Sequence, residues 1–535
     1  MYLTKLRFYL CIFLLLLITV LCNLSISLQR GRLSAMPLYD DAGYLLDAMS
    51  RIVFDSGFGL LSVIHSFVQA PPHAPLSTIT AMAGFWLIGP EPSSAYIANS
   101  WILLIYIGII LWASKPLGYS ISRLLIVFIF LYLPASHAII NEFRPDLAAG
   151  LLFGYSSYLI CTFDITSNKI NRKIKIALLA SFACIAKPTA IILTGPMLLI
   201  AMGLTCIRYG QLNGYTNIGK WLVPFLFPVL IILIPSIYFL GGHTYNYIIK
   251  ALVTNNDVWK TSGDALFHLN FHLFGYGGKT ALGPFIYIGI CSYLLVIFGA
   301  IKAKSIQSDS GKLCYLIFLV ILYCGMSQSS EKTIFQGSFF YFPFIIGAIP
   351  ICSNLVLSLS KIQKKFFNDM GLIFSLISAS FFLFFFPFAS TYSSPPLLAL
   401  DSKIAYANLI SLLYKNTSAI KQNNICYKYK FRVTSTNPDP FPMQSALIHV
   451  AAMGINVEPF DTYFIRTAKE IDELTMSSDF VLAADPSMPG LNNIIPGYLF
   501  TEHIIQNLKQ DPNFTHEIVA NIQGFPLWLF SKKCP

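Results

Sequence analysis

Hydrophobic residues run through the first 390 positions in long blocks that short polar segments separate. A helix of about 20 apolar residues crosses the hydrocarbon core of a bilayer. Such blocks predict transmembrane helices at 8–28, 95–114, 121–140, 147–163, 221–240, 282–301, 312–327, 338–358 and 370–388. The run 174–207 is too long for one helix, and we divide it at Lys187-Pro188 because proline breaks helices. The pattern therefore predicts 11 membrane-spanning helices.

Residues 76–90 form a further apolar block that is slightly too short to span a bilayer. If this block did span, every later basic loop would lie on the opposite side of the membrane. We therefore expect a re-entrant or interfacial helix here, on the non-cytoplasmic side.

The chain changes character near residue 390, where long apolar blocks give way to shorter ones. The later part contains predicted strands at 478–485, 516–522 and 526–533, and a predicted helix at 502–510. We therefore expect two parts. Residues 1–390 form an α-helical polytopic membrane module, and residues 391–535 form a small α/β domain outside the cytoplasm.

Composition and charge support this arrangement. The 535 residues are 55% hydrophobic and only 11% charged, which excludes a large soluble enzyme and a disordered chain. The net charge of +11 would by itself suggest a nucleic-acid partner. With a cytoplasmic N-terminus, however, the six cytoplasmic segments hold 16 basic and 3 acidic residues, whereas the rest of the chain has a net charge of −2. The excess charge thus predicts orientation in the membrane and no nucleic-acid partner.

Two cysteines stand apart from the other nine, which lie in or beside apolar blocks. Cys426 and Cys534 both fall in the predicted outer domain. If that compartment is oxidising, the two thiols could form a disulfide.

The first outer segment carries the strongest candidate for chemistry. Asp40 and Asp41 begin a helical pattern of apolar residues that includes Leu45, Ala48 and Met49. We expect this helix to lie on the membrane with its apolar stripe towards lipid. In one interpretation the two carboxylates stabilise the helix N-terminus. In the other a carboxylate is a general base that deprotonates an acceptor hydroxyl, and the pair could also share a proton or hold a divalent cation.

Further polar residues concentrate at outer turns near membrane depth, where charges are costly and often functional. The candidates are His73, Glu142, Arg144, Asp146, Lys187 and Lys332. Cations among them could stabilise a phosphate that leaves with negative charge. A local ion pair at Arg144 and simple extension of Lys187 towards water are the structural alternatives. His268 and His272 have the spacing of a metal pair on a helix, but no carboxylate at ligand spacing accompanies them.

These motifs resemble those of the integral-membrane GT-C glycosyltransferases, the group that contains protein O-mannosyltransferases and bacterial aminoarabinose transferases. The resemblance rests on Asp40-Asp41-Ala42-Gly43-Tyr44 after the first span, on the turn His73-Ala74-Pro75-Leu76, and on Glu142-Phe143-Arg144-Pro145-Asp146.

The resemblance covers roughly residues 1–390 and implies an inverting glycosyltransferase. The implied donor is a polyprenyl-phosphate-linked sugar, and the acceptor is a lipid, glycan or protein. Of the two aspartates, the first, Asp40, is implied to be the catalytic residue. Tyr44 and His73 are implied to contact substrate. Metal use differs among members, so a divalent metal is neither implied nor ruled out. A bacterial inner membrane is the expected location.

Two other functions compete with this one. A polymerase or ligase of lipid-linked polysaccharide would also act on lipid-phosphate substrates. A transporter or flippase would show related halves and charges within its spans, whereas here the polar residues concentrate at outer turns.

Overall fold

We analysed the chain in a computed structural model. It describes residues 4–30, 33, 37, 40–55, 59–136, 142–163, 170–215, 218–302, 310–359, 362–366, 368–370, 400–422, 430–436, 443–487 and 495–533.

Helices dominate the first part of the chain. They are α1 (Lys5–Arg30), α2 (Asp40–Ser50), α3 (Leu60–Gln69), α4 (Pro75–Leu87), α5 (Pro92–Ala98), α6 (Trp101–Ala113), α7 (Ile121–Leu131), α8 (Pro145–Thr162), α9 (Ile170–Ala186), α10 (Ile191–Asn213), α11 (Ile218–Ile248), α12 (Asn256–Trp259), α13 (Ala265–Asn270), α14 (Tyr276–Leu282), α15 (Phe285–Lys302), α16 (Ser310–Gln328) and α17 (Ser338–Ser358).

Several of these helices are long and apolar enough to cross a membrane. Within the described residues there are six, or seven if the pair α14 and α15, bent by 89°, counts as one span. The predicted break at Lys187-Pro188 is confirmed, since α9 ends at Ala186 and α10 begins at Ile191. The predicted span 370–388 falls almost entirely outside the described residues, and the total of 11 remains a prediction. Helix α4 has 13 residues, about 20 Å, and is too short to span.

Helices α8 and α17 cross so closely that two positions of α8 have no space for a side chain. A Cβ atom on Gly150 would lie 2.6 Å from the Ser338 carbonyl oxygen, and one on Gly154 would lie 2.7 Å from the Pro343 nitrogen. Both clashes involve backbone atoms, so only glycine fits at these two positions. The close approach places the start of α8 beside the loop that leads into α17.

The C-terminal part forms a mixed five-stranded sheet with helices. Its elements are α18 (Leu400–Gln422), β1 (Phe431–Ser435), α19 (Met443–Ala452), β2 (Val457–Asp461), α20 (Ala468–Ser477), β3 (Phe480–Ala484), α21 (Thr501–Gln510), β4 (Phe514–Ile522) and β5 (Phe525–Lys532). The strand order is β2-β1-β3-β5-β4. Strand β1 pairs in parallel with β2 and β3, whereas β5 is antiparallel to β3 and β4. The three predicted strands and the predicted helix are confirmed within a few residues at each end.

The apolar stripe of α2 does not face lipid, contrary to our expectation. Leu45, Ala48 and Met49 are buried in one core with α19 and strands β1 and β3 of the C-terminal sheet. The hydroxyl of Ser445 on α19 also donates to the carbonyl of Pro37, just before α2. An apolar stripe fits a protein core as well as a membrane, so the sequence pattern could not choose between them.

This shared core generates a prediction about stability. Leu45→Ala removes a fully buried side chain between α2 and the C-terminal part, and should cost about 2–5 kcal/mol of stability. Thermal unfolding of the detergent-purified protein should therefore begin at a lower temperature. The control is Leu61→Ala on α3, where 79% of the side chain is exposed, and it should leave unfolding nearly unchanged. Equal effects of the two variants would contradict a shared core.

Candidate active site

Asp40 and Asp41 begin α2 but occupy opposite environments. The Asp40 side chain is 63% exposed, whereas that of Asp41 is completely buried. Oδ2 of Asp41 accepts hydrogen bonds from the Tyr96 hydroxyl at 2.9 Å and from the Phe143 backbone N–H at 3.1 Å. Only Asp40 can therefore meet a substrate directly, and Asp41 is built into the scaffold.

Arg144 joins the two aspartates. Its guanidinium donates to Asp40, and its Nε lies 3.5 Å from Oδ1 of Asp41. The ring of Phe335 lies 4.5 Å from the guanidinium carbon. Burial would lower the pKa of Arg144, but the carboxylates of Asp40 and Asp41 outweigh it and raise the pKa above the usual value. Arg144 is therefore a permanent cation that orients both acids.

A second polar network fixes the other end of α2. Arg51 is buried and donates to Asp47 at 3.0 Å and to the Ser66 hydroxyl at 3.0 Å. Asp47 also accepts from the Thr78 hydroxyl at 2.9 Å. Because Ser66 is on α3 and Thr78 on α4, the network joins α2, α3 and α4.

A second ion pair lies in the same region. Asp146, in the first turn of α8, accepts from Nζ of Lys187 at 2.7 Å. Asp146 is almost fully buried. Since Lys187 follows α9, the pair ties the start of α8 to the end of α9.

Aromatic residues surround the acids. Tyr44 is buried on α2, and its ring is parallel to that of His73 at a centroid distance of 6.1 Å. The ring of Tyr247, at the end of α11, lies 4.3 Å from His73 on centroids. Burial raises the pKa of Tyr44 well above its usual value, as does the charge of Asp40. Burial and the nearby Lys187 lower the pKa of His73, so this imidazole is neutral at pH 7.

The remaining predicted residues, Glu142 and Lys332, are in contact with the backbone or side chains of neighbouring helices and loops. Glu142 is buried, and its backbone carbonyl accepts from Asn99 at 3.0 Å. Nζ of Lys332 donates to the carbonyls of Met326 and Ser327, at 2.7 and 3.2 Å, near the end of α16. Burial lowers the pKa of Lys332 to about 8. These contacts favour a helix-capping role for Lys332, and a phosphate contact there stays a prediction.

The two histidines considered for a metal lie within the described residues, whereas the two cysteines considered for a disulfide do not. His268 is on α13, but His272 lies beyond the end of that helix and its Nδ1 is 3.3 Å from the Tyr341 hydroxyl. The described residues contain no group of three or more His, Cys, Asp or Glu side chains that could hold a metal ion. Cys426 and Cys534 lie outside the described residues.

Four residues of the site escaped the sequence analysis. Tyr96, which bonds Asp41, lies in a segment assigned to a membrane span. Tyr247 lies at the end of α11 and was not among the predicted residues. Phe335 lies in the loop between α16 and α17, where Lys332 was the one residue proposed for chemistry. That loop also contains Glu331, next to Lys332, which was not among the candidates.

The arrangement can perform acid–base and phosphate chemistry. The exposed carboxylate of Asp40, the ion pairs of Arg144 and Lys187, and the imidazole of His73 lie within one region of the protein. Arg144 and Lys187 supply positive charge, and the exposed carboxylate of Asp40 is a hydrogen-bond acceptor that a substrate can approach.

Comparison with known proteins identifies the class of fold. No model of a known protein family matches the sequence, and no curated protein matches it. Two solved structures of ArnT from Cupriavidus metallidurans are similar over 97% of this chain and 97% of theirs. The apo structure is 12% identical with a TM-score of 0.55, and the structure bound to undecaprenyl phosphate is 11% identical with the same TM-score.

The chain thus has the same fold as these two structures. This confirms the predicted fold class, a helical membrane protein with a small C-terminal sheet domain. The similarity extends over both parts of the chain, including the C-terminal part.

The Asp41 contacts generate a prediction. Tyr96→Phe removes the hydroxyl that donates to Asp41, and loss of a partner to a buried acceptor costs about 1–3 kcal/mol. The variant should unfold at a lower temperature than the wild type in the same detergent. Tyr238→Phe is the control, because that side chain is 81% exposed and should tolerate the change. An unaltered unfolding temperature for Tyr96→Phe would show that Asp41 does not depend on this bond.

Proposed function

We propose that this protein is an inverting glycosyltransferase that uses a polyprenyl-phosphate-linked sugar as its donor. The acceptor is a hydroxyl of a lipid, glycan or protein on the non-cytoplasmic face of a membrane, and a bacterial inner membrane is the expected location. The observation that carries the proposal is the exposed carboxylate of Asp40, held by a buried Arg144 within a GT-C fold.

Asp40 is the general base in this proposal. The acceptor oxygen forms a bond to the anomeric carbon while the bond from that carbon to the phosphate oxygen breaks. The hydroxyl proton passes to Asp40, and the electron pair of the broken bond remains on the lipid phosphate. Arg144 and Lys187 stabilise the negative charge that develops there.

The ion pairs suggest how the base is activated. Arg144 and Lys187 are already paired with Asp40 and Asp146, so a donor phosphate competes with both carboxylates. A phosphate that takes over the Arg144 guanidinium leaves Asp40 with a weaker counter-ion. Its carboxylate then becomes a better proton acceptor when the donor is bound.

The proposed donor has support from the structural neighbour. ArnT from Cupriavidus metallidurans has been solved with undecaprenyl phosphate, a polyprenyl phosphate. The cations of the present site are suited to the same kind of headgroup. Tyr44, His73 and Tyr247 supply ring surfaces on which a sugar could pack.

Replacement of the base tests the proposal. Asp40→Asn should lower transfer from a polyprenyl-phosphate sugar by about 10²–10⁴-fold, because the amide cannot accept a proton. Its thermal unfolding should match that of the wild type, since the side chain is largely exposed. The measurement is sugar transfer by purified protein in detergent or nanodiscs.

Asp41→Asn provides the matched comparison. This variant removes a buried charge beside Arg144, so it should lower the unfolding temperature as well as transfer. Wild-type transfer by Asp40→Asn would overturn the base assignment, whatever the result for Asp41→Asn.

The outer location of the site is tested by cysteine labelling. A cysteine at position 364, between α17 and the C-terminal part, should resist a membrane-impermeant maleimide added outside intact cells. A cysteine at position 517, on the exposed face of β4, should react. Each is introduced into a variant without native cysteines. Labelling at position 364 from outside would reverse the predicted orientation and move the site to the cytoplasm.

A further inference from the structure

The loop between α16 and α17, residues 329–337, forms one wall of the site. Phe335 of this loop contacts Arg144. The close crossing of α8 and α17 at Gly150 brings the start of α17 beside the start of α8, where Arg144 and Asp146 lie. The loop is therefore held at the ion pairs by the packing of two helices.

The backbone around Glu331 is fixed on both sides. The Ser330 carbonyl accepts from the Thr261 N–H at 3.0 Å, and the Lys332 N–H donates to the Thr261 hydroxyl at 3.0 Å. The Ser330 hydroxyl donates to Asn256 at 3.1 Å. The Lys332 ammonium donates to a carbonyl near the end of α16. The side chains on both sides of Glu331, those of Ser330 and Lys332, are therefore hydrogen-bonded to other parts of the protein.

The carboxyl of Glu331 is partly buried, and the charges that act on it are those of Lys187, Asp146 and Asp40. Its hydrogen-bonding neighbour is the neutral side chain of Gln336. In the described part of the chain it forms no ion pair within 4 Å, whereas Asp40, Asp41 and Asp146 each have one. Burial raises the pKa of Glu331, as do Asp146 and Asp40.

The carboxyl of Glu331 has one neutral hydrogen-bonding neighbour, Gln336, so its remaining lone pairs can accept from a ligand. The donor phosphate is proposed to lie at Arg144 and Lys187, and the sugar is joined directly to that phosphate. Glu331 belongs to the loop whose Phe335 packs on Arg144, and the charge of Lys187 acts on its carboxyl, so this loop borders the position of the sugar ring. Hydroxyl groups of the ring are suitable donors to the Glu331 carboxyl.

We propose that Glu331 binds a hydroxyl of the donor sugar and so selects the sugar-bearing lipid over the bare lipid phosphate. This inference rests on the proposed function, and it adds a sugar-recognition residue to a site whose other acids are paired with cations.

The test compares two ligands by their binding to purified protein in nanodiscs. One is a polyprenyl-phosphate sugar, and the other is the same polyprenyl phosphate without sugar. Glu331→Ala should weaken binding of the sugar-bearing lipid by about 10- to 100-fold, the range for a hydrogen bond to a charged group. Binding of the bare lipid phosphate should change less than twofold.

Two further variants make the result specific. Glu331→Gln, which keeps an acceptor oxygen but no charge, should fall between wild type and Glu331→Ala for the sugar-bearing lipid. Glu502→Ala changes a glutamate on α21 of the C-terminal part and should behave as wild type towards both ligands.

The outcomes separate the two proposals. Equal weakening of both ligands by Glu331→Ala, or no weakening of either, overturns the role of Glu331 and leaves the glycosyltransferase proposal intact. Failure of the wild type to prefer the sugar-bearing lipid overturns the sugar site. Failure of the wild type to bind or transfer from any polyprenyl-phosphate sugar overturns both.

Discussion

The buried ion pair of Asp41 and Arg144 joins the two segments on which the site depends. Asp41 lies in the first turn of α2, and Arg144 immediately precedes α8 in the membrane part. Removing two charges from water costs several kcal/mol per ion, which the attraction of the pair offsets only when further hydrogen bonds accompany it. The Tyr96 hydroxyl and the Phe143 N–H supply such bonds to Asp41. The contact also fixes where the neighbouring Asp40 points.

The rest of the structure supports that contact from two sides. The C-terminal sheet domain packs its helix α19 against α2, which buries the apolar stripe and leaves the acidic end of α2 free for chemistry. From the membrane side, glycines of α8 allow α17 to approach closely, and the loop before α17 covers Arg144 with Phe335. The C-terminal domain and the membrane helices therefore hold the same few polar residues in place, and the site requires both.

Much of this could be predicted from the sequence because it depends on local patterns. The apolar blocks, the break at Lys187-Pro188 and three strands of the sheet are each encoded in a few consecutive residues. The acids and bases at the turns were found because charges near a membrane are rare and conspicuous. By contrast, the packing of α2 on α19 joins residues about 400 positions apart, and no local pattern contains it. Glu331 was missed for the same reason, since the role proposed for it depends on Asp146 and Lys187, which are distant in sequence.

The two adjacent aspartates have opposite surroundings because consecutive residues of a helix point about 100° apart. When α2 packs one face against the protein, a side chain at the neighbouring position turns outward. Asp41 is on the packed face and is buried, while Asp40 reaches open space yet still touches the same guanidinium. One cation thus holds a structural carboxylate and an exposed carboxylate at once. A buried, hydrogen-bonded carboxylate at Asp41 and a carboxylate open to substrate at Asp40 are different requirements, and the helix meets both with a single pair of residues.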